Sequence, residues 1–407
     1  MKALICLLLF LGLSLYAQKT VHNPRPTTQM APIVLFTPDL SFGADEDADE
    51  YIWPDVLTQV LPKKNGDMYV IDNRGKRVLA FDSEGNFLKV AVPQGEGPAE
   101  LKSILSASLC EDGRLMIMEG VVGSRVHLKV FDSNLELIAS PPSNIKYFYQ
   151  TIDASPDGTH FAATYFGYRQ NANKDRMLQV NVSLFNTDSL EEVMPLSVTE
   201  RISPDFAKRR EPGFWVALLS KEFKIRYSGV GVHAFDEQGR LYTAISDTYK
   251  ITRWSQDLKT AQRIITRDYK PIINSEEHLE GLIDAFTDIY ASHPSIGKLV
   301  NKKVITESFE KSGLPPGKMP VMGLITMPHD RLMVIHDTNL KTRQNVADLY
   351  DDQGRFMGQA TFDDFALIGV ERLPKMIFKN GFAYTITTDE DGDNRVVRFR
   401  YTFHSGS

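Results

Sequence analysis

The sequence predicts an all-β chain built as a six-bladed β-propeller with a helical insertion between blades four and five. Three observations predict it. One module recurs six times in order along the 407 residues. Inside each module apolar residues alternate with period two between turn residues, the pattern of a half-buried antiparallel hairpin. Five of the six modules close on an aromatic followed by Asp, Asn or Ser, where the ring packs between sheets and the short polar side chain caps the next turn. A chain of this length would otherwise suggest two or three domains. Units recurring at roughly 45 to 50 residues instead match one four-stranded blade each.

The modules run as follows. The first opens at Asn65-Gly66-Asp67, runs Met68 to Asp72, and closes over Arg77 to Phe81-Asp82. The second opens at Asp112-Gly113 and closes at Phe131-Asp132; the third opens at Asp157-Gly158 and closes at Phe185-Asn186. The fourth opens at Gln238-Gly239-Arg240 and closes at Trp254-Ser255; the fifth opens at His329-Asp330-Arg331 and closes at Tyr350-Asp351. The sixth opens at Asn380-Gly381 and ends with Arg395 to Phe399.

The spacing stretches between modules three and four and between four and five. The second stretch, about 272–312, reads as a helix with Asn274 as N-cap and Glu277 three residues on. Leu279, Leu282, Ile283, Phe286, Ile289 and Tyr290 then form one apolar face, and His293-Pro294 stops the helix. Ile33 to Phe36 is expected to donate a strand to the last blade and close the ring.

The first residues are Met1-Lys2, an apolar run from Ala3 to Tyr16, and Ala17 before Gln18-Lys19-Thr20. This is the layout of a secretory signal peptide over 1–17, leaving 18–407 as a single domain in the periplasm or outside the cell. The run is too short to span a bilayer as a helix, and no later stretch is longer. Cys6 lies inside the run, so the mature chain keeps Cys110 alone and has no intramolecular disulfide. With 46 basic against 52 acidic residues, a net charge of −6 and no basic block, nucleic acid is a poor partner.

At Gly66 to Asp72, followed by Arg77-Val78-Leu79-Ala80-Phe81-Asp82, the chain resembles the NHL-type six-bladed propellers of exported bacterial proteins. Gln94-Gly95-Glu96-Gly97-Pro98-Ala99-Glu100-Leu101 is similar to a glycine-rich stretch that follows the first full blade in that group, with Ala99 and Leu101 in place of the usual Gly and Phe. The resemblance implies fold and export; it does not imply a reaction, because the architecture hosts lyases, lactonases, receptors and scaffolds.

Acidic residues recur after the first run of the modules: Asp72, Glu119, Asp247, Asp337 and Asp389. Such a ring at the channel or rim could hold a cation or polar ligand; the blander reading is that they accept backbone hydrogen bonds at turns. Asp389 to Asn394 places carboxylates at positions one, three and five of a calcium-type loop, but Arg400 stands where the twelfth position wants Glu. Calcium or another divalent ion is therefore open, and no cofactor is expected. His233, His329 and His336 form no zinc spacing, and there is no Gly-x-Ser-x-Gly elbow. Tyr165, Phe166, Tyr168, Arg169, Lys174 and Arg176 form an aromatic-basic hairpin tip. With no catalytic spacing, the expectation is a binding module for a protein, peptide or carbohydrate. The alternatives are a metal-assisted hydrolase or lyase working at the channel and a structural part of an envelope assembly.

Overall fold

The computed structural model describes residues 18–25, 32–43, 57–120, 126–140, 148–173, 176–202, 205–211, 213–226, 229–291, 297–313, 317–339, 344–362, 376–388 and 394–404. The chain is mostly β, with 52% strand and 13% helix. The expected signal peptide, 1–17, lies outside the described residues.

Two strands come first, β1 (Lys19–Asn23) and β2 (Pro32–Gly43). Unit 1 is then the antiparallel meander β3 (Leu57–Pro62), β4 (Met68–Asp72), β5 (Arg77–Phe81) and β6 (Phe87–Val92). Unit 2 is β7 (Ser106–Leu109), β8 (Leu115–Glu119), β9 (His127–Phe131) and β10 (Leu137–Ala139). Unit 3 is β11 (Phe148–Ala154), β12 (His160–Gln170), β13 (Arg176–Asn186) and β14 (Glu192–Ile202). Unit 4 is β15 (Gly231–Phe235), β16 (Leu241–Ile245), β17 (Lys250–Trp254) and β18 (Ala261–Arg267). Unit 5 is β19 (Gly323–Met327), β20 (Arg331–Asn339), β21 (Gln344–Tyr350) and β22 (Phe356–Phe362). Unit 6 is β23 (Ile377–Lys379), β24 (Phe382–Thr388) and β25 (Asn394–Phe403), completed by β2, which pairs antiparallel with β25. The segment from Ile33 to Phe36 thus lies in the strand that closes the last unit, with Phe36 opposite Tyr401.

The recurring pair of runs in the sequence is the second and third strand of each unit. The first strands carry weaker patterns, yet they organise the molecule: β3 touches β7, and contacts continue through β11, β15, β19 and β23 back to β3. Meanders whose first strands close a cycle make a propeller-like fold.

The period-two pattern explains the stacking. In β4, Tyr69 and Ile71 pack with Leu115, Ile117 and Phe131 of unit 2, while Met68 and Val70 pack with Phe42, Tyr384 and Val396 of unit 6. Both faces of the strand are therefore buried, and each such large side chain stabilises by roughly 1.5–3 kcal/mol. The aromatic-polar turns do what their chemistry requires. Phe81, Phe131, Phe185 and Tyr350 are buried. The carboxylate of Asp82 accepts from the amides of Glu84 and Asn86, both at 2.9 Å. Asp132, Asn186, Ser255 and Asp351 accept turn amides in the same way.

Both stretched spacings hold helices. α1 (Phe214–Arg226) lies between β14 and β15; α2 (Glu276–Ala291) and α3 (Lys302–Ser312) lie between β18 and β19. They share a core of Leu219, Phe223, Leu282, Phe286, Val300, Ile305 and Phe309, in which the Phe223 and Phe309 rings stack at 4.1 Å. The apolar face read from sequence is the one buried here, although the side chain of Ile289 and residues His293-Pro294 lie outside the described residues. One correction concerns the cap: the helix begins at Glu276, and the Ser275 hydroxyl, rather than Asn274, accepts the His278 amide at 3.1 Å. Sequence reading missed α1 because Phe214 to Leu219 is a continuous apolar run with no helical period.

Candidate functional site

The inner strands enclose a cavity of about 240 Å³ to which all six units contribute, represented by Leu61, Ser108, Asp153, His233, Ile325 and Phe378. Hydrogen bonds between first strands hold its wall. The Gln59 side chain accepts from the Ala107 amide at 2.7 Å, Ser106 from Ile152 and Ser108 from Ala154 at 3.0 Å, and Thr326 donates to the Phe235 carbonyl at 2.7 Å. Apolar side chains dominate, including Leu109, Val232, Leu324, Met327 and Met376; Asp153, His233 and the hydroxyls of Thr151 and Thr164 add polar points. The mouth lies where the first strands end. There Lys379 of unit 6 pairs with Glu111 of unit 2, and Lys64 approaches Glu111 at 3.6 Å. Asp236 at the same end is bound by Arg240 at 2.7 Å. At a water's share of about 30 Å³, the space holds roughly eight waters, one sugar ring or one large side chain.

The carboxylates singled out from sequence stand elsewhere. Asp72 and Glu119 end the second strands of units 1 and 2, Asp247 follows that of unit 4 by two residues, and Asp337 lies two residues before the end of that of unit 5, all away from the ends of the first strands that form the cavity mouth. None of the four lines the cavity. Each has a local partner. Asp72 accepts from Arg77 at 2.7 Å and from the Gly75 amide at 2.6 Å. Glu119 pairs with Lys129 at 3.1 Å and takes the Lys102 amide. Asp247 accepts from Thr248 at 3.0 Å, and Asp337 pairs with Lys318 at 2.5 Å. Among the described residues no three His, Cys, Asp or Glu side chains gather as a metal group. Asp389 and the calcium-like loop through Asp393 lie outside the described residues.

A second polar concentration joins units 4 and 5. Asp348, fully buried, pairs with Arg267 and accepts from Tyr249 at 2.6 Å, from His336 Nε2 at 3.1 Å and from Gln359 at 3.1 Å. Tyr350 donates to Tyr249 at 2.8 Å. Burial, reinforced by the Arg267 cation, pulls His336 down to about 4, and burial raises both Tyr249 and Tyr350, so all three stay neutral near pH 7.

The remaining motifs are structural. Cys110 is buried, and burial pushes its thiol up to about 12, leaving it inert. In the glycine-rich stretch the Glu100 carboxylate accepts the Gly97 amide at 2.7 Å, and a Cβ on Gly95 would lie 1.9 Å from that carboxylate; it is a tight link between units 1 and 2. His329 sits in a turn at φ 63°. Tyr165, from the aromatic-basic tip, is buried with its hydroxyl 3.2 Å from Ser183; the other side chains of that tip lie outside the described residues. Sequence reading missed the cavity because its walls come from the short first strands, which carry no motif.

No protein-family profile and no curated protein matches this sequence. Three crystal structures are similar in shape. One is described as an exported protein from Bacteroides fragilis, with TM-score 0.46, 10% identity, and 95% of this chain and 100% of that one covered. One is a member of the DUF4221 family from Bacteroides vulgatus, with TM-score 0.47, 11% identity, and 91% and 99% covered. The third is virginiamycin B lyase from Staphylococcus aureus, with TM-score 0.41, 7% identity, and 90% and 99% covered. At these scores neither activity nor ligand transfers to this chain. No described helix is long and apolar enough to cross a membrane.

Proposed function

We propose that the six meanders are the blades of a six-bladed propeller of the NHL type, exported by the segment before Gln18. In this reading the propeller is a binding module that receives one compact group of its partner, a sugar ring or a peptide side chain, in the central cavity. The observation that carries the reading is a space lined by the first strands of all six units, with an apolar wall and a few fixed polar points, the composition of ligand sites in general. At about 240 Å³ it falls below the roughly 300 Å³ at which sites for larger ligands begin, so a macromolecular partner inserting one group fits better than a free drug-sized molecule.

A thermal-shift screen of the chain from Gln18 against monosaccharides, short peptides, and divalent ions with and without chelator tests it. A saturating ligand at about a hundred times its Kd adds about 2.7 kcal/mol. The expected hit is a sugar or peptide, and filling the cavity by Thr151→Trp should remove its shift and leave the unliganded melting temperature nearly unchanged. A shift given only by a divalent ion, reversed by chelator and kept in Thr151→Trp, overturns the reading in favour of the hydrolase or lyase alternative.

A further inference from the structure

The cavity has two unlike halves. Leu61 of unit 1, Ile325 and Met327 of unit 5 and Met376 and Phe378 of unit 6 make an apolar half, where the Thr326 hydroxyl is turned to the Phe235 carbonyl at 2.7 Å. Across the ring, Thr151, Asp153 and Thr164 of unit 3 and His233 of unit 4 make a polar half. The placement follows from the strands. Asp153 stands one residue inside the mouth end of β11 and Thr151 two residues deeper, so the two share the inward face of that strand. Asp236 and Glu237 continue β15 onto the rim. Carboxylates therefore run from the rim inward along units 3 and 4.

The charges of this lining are unequal. Among the described residues that line the space, four carboxylates, Glu111, Asp153, Asp236 and Glu237, meet one ammonium, Lys379. Lys379 is bound to Glu111. Arg240, behind the rim, holds Asp236 at 2.7 Å and divides its charge with Asp330 at 2.6 Å. Asp153 and Glu237 bring two further carboxylates to the same space. Apolar walls around charges of one sign focus their field into a cleft. An anionic group is repelled there, and a neutral apolar group covers the carboxylates without pairing them, which costs free energy. A long basic side chain satisfies both halves, because its hydrocarbon stem packs on apolar surface while its head keeps a charge partner.

We propose that the group the cavity receives is a basic side chain, lysine or arginine, of a peptide or protein partner, with its stem along Ile325, Met376 and Phe378 and its cationic head on the side of Asp153. This rests on the binding reading above and narrows it to one ligand chemistry. Asp153 is the specificity residue, since it carries the charge inside the mouth; Glu237, exposed on the rim, draws the cation toward the opening. The Lys379–Glu111 pair closes the charge of units 6 and 2 on itself, which leaves the preference to units 3 and 4.

Titration of the chain from Gln18 with four blocked amino-acid amides, followed by NMR, tests the proposal. The probes are N-acetyl-lysine amide and N-acetyl-arginine amide, with N-acetyl-norleucine amide and N-acetyl-citrulline amide as their neutral counterparts of similar shape. Each cation should bind about tenfold more tightly than its neutral counterpart at low salt, and the gap should shrink severalfold near 0.5 M salt, where a rim charge such as Glu237 is screened within about 4 Å. Asp153→Asn should bring lysine and norleucine amides to nearly equal affinity, and Thr151→Trp should remove the binding of both. If Asp153→Asn does not fold, Glu237→Gln, on the exposed rim, should still narrow the gap. Norleucine amide or a monosaccharide binding as tightly as lysine amide, and lost in Thr151→Trp, overturns the charge preference while the cavity stands as the ligand site. Lysine amide still bound in Thr151→Trp, or a gap unchanged by Asp153→Asn, overturns the assignment to this cavity. Binding by none of the probes and no sugar overturns this inference and the binding reading together.

Discussion

Unit 1 meets unit 2 through Tyr69, Ile71, Val78, Leu115, Ile117 and Phe131, whereas unit 5 meets unit 4 through Asp348, Arg267, His336, Tyr249 and Tyr350 as well as apolar contacts. The same meander is thus stacked by two chemistries. Apolar stacking loses area when one side chain is trimmed; a buried charged hub, losing one member, strands the others in a medium that cannot solvate them. Units 4 and 5 are also bordered by strands from the N-terminal segment, β1 beside β18 and the start of β2, the strand that completes unit 6, beside β22. The elaborated side therefore depends on single residues in a way the regular side does not.

The sharpest break in that contrast is Asp348→Ala. It leaves Arg267, only 7% exposed, as a buried cation without its carboxylate, and should cost about 3–5 kcal/mol. The matching change in unit 1, Asp72→Ala, leaves Arg77, which at 25% exposure reaches water, and should cost about 1–2 kcal/mol. Urea midpoints of the two variants measure the difference; equal losses would remove the distinction.

Acid sharpens the same comparison. The folded value of His336, about 4, lies below its ordinary 6.5, so the unfolded chain binds the proton more tightly. The corresponding stability is fully present above about pH 6.5 and is lost as the pH falls toward about 4, up to roughly 3 kcal/mol for this ring. Urea melts of His336→Gln should lose that part of the acid slope, whatever the variant costs at neutral pH.

A third test concerns the N-terminal clasp. Asn23, 5% exposed at the end of β1, donates to the Gly354 carbonyl at 3.0 Å and accepts the Phe356 amide at 2.8 Å, tying β1 to unit 5. Asn23→Ala leaves both backbone groups unpaired and should cost about 2 kcal/mol, read as a lower urea midpoint with faster exchange in β18 and β22.

The regular side is also the side the sequence makes legible. Gly66, Asp72, Phe81 and Asp82 act within a few residues of one another, so period and turn chemistry reveal them. Tyr249 and Asp348 are 99 residues apart, and Glu111 and Lys379 are 268 apart; no local pattern announces either contact. The carboxylates at or near the second-strand ends were visible because they recur, yet their partners make them turn and ion-pair groups. The cavity, built from one short strand per unit, had no recurring residue to give it away. Helix α2 showed its 3.6-residue stripe, while α1 hid in an unbroken apolar run.

The smallest expected effect lies in the first turns of the two units. Unit 1 turns on Asn65-Gly66, with Gly66 at φ 92° and a would-be Cβ 3.1 Å from that of Ser83. Gly66→Ala therefore meets both left-handed strain and contact and should cost about 1–2 kcal/mol. Unit 5 turns on His329-Asp330, both left-handed at φ 63° and 59°, so it already bears that strain. Asp330 is retained for a reason the geometry gives: Arg240 reaches it at 2.6 Å and Gln238 at 3.0 Å, holding unit 4 to unit 5. Among the described residues, His329 accepts the same backbone strain without such a tie. His329→Gly should relieve the strain but add freedom to the unfolded chain, for a net gain of about 0.5 kcal/mol. A thermal melt showing a loss instead would mean that the His329 ring has packing of its own, and that this turn, too, depends on a particular side chain.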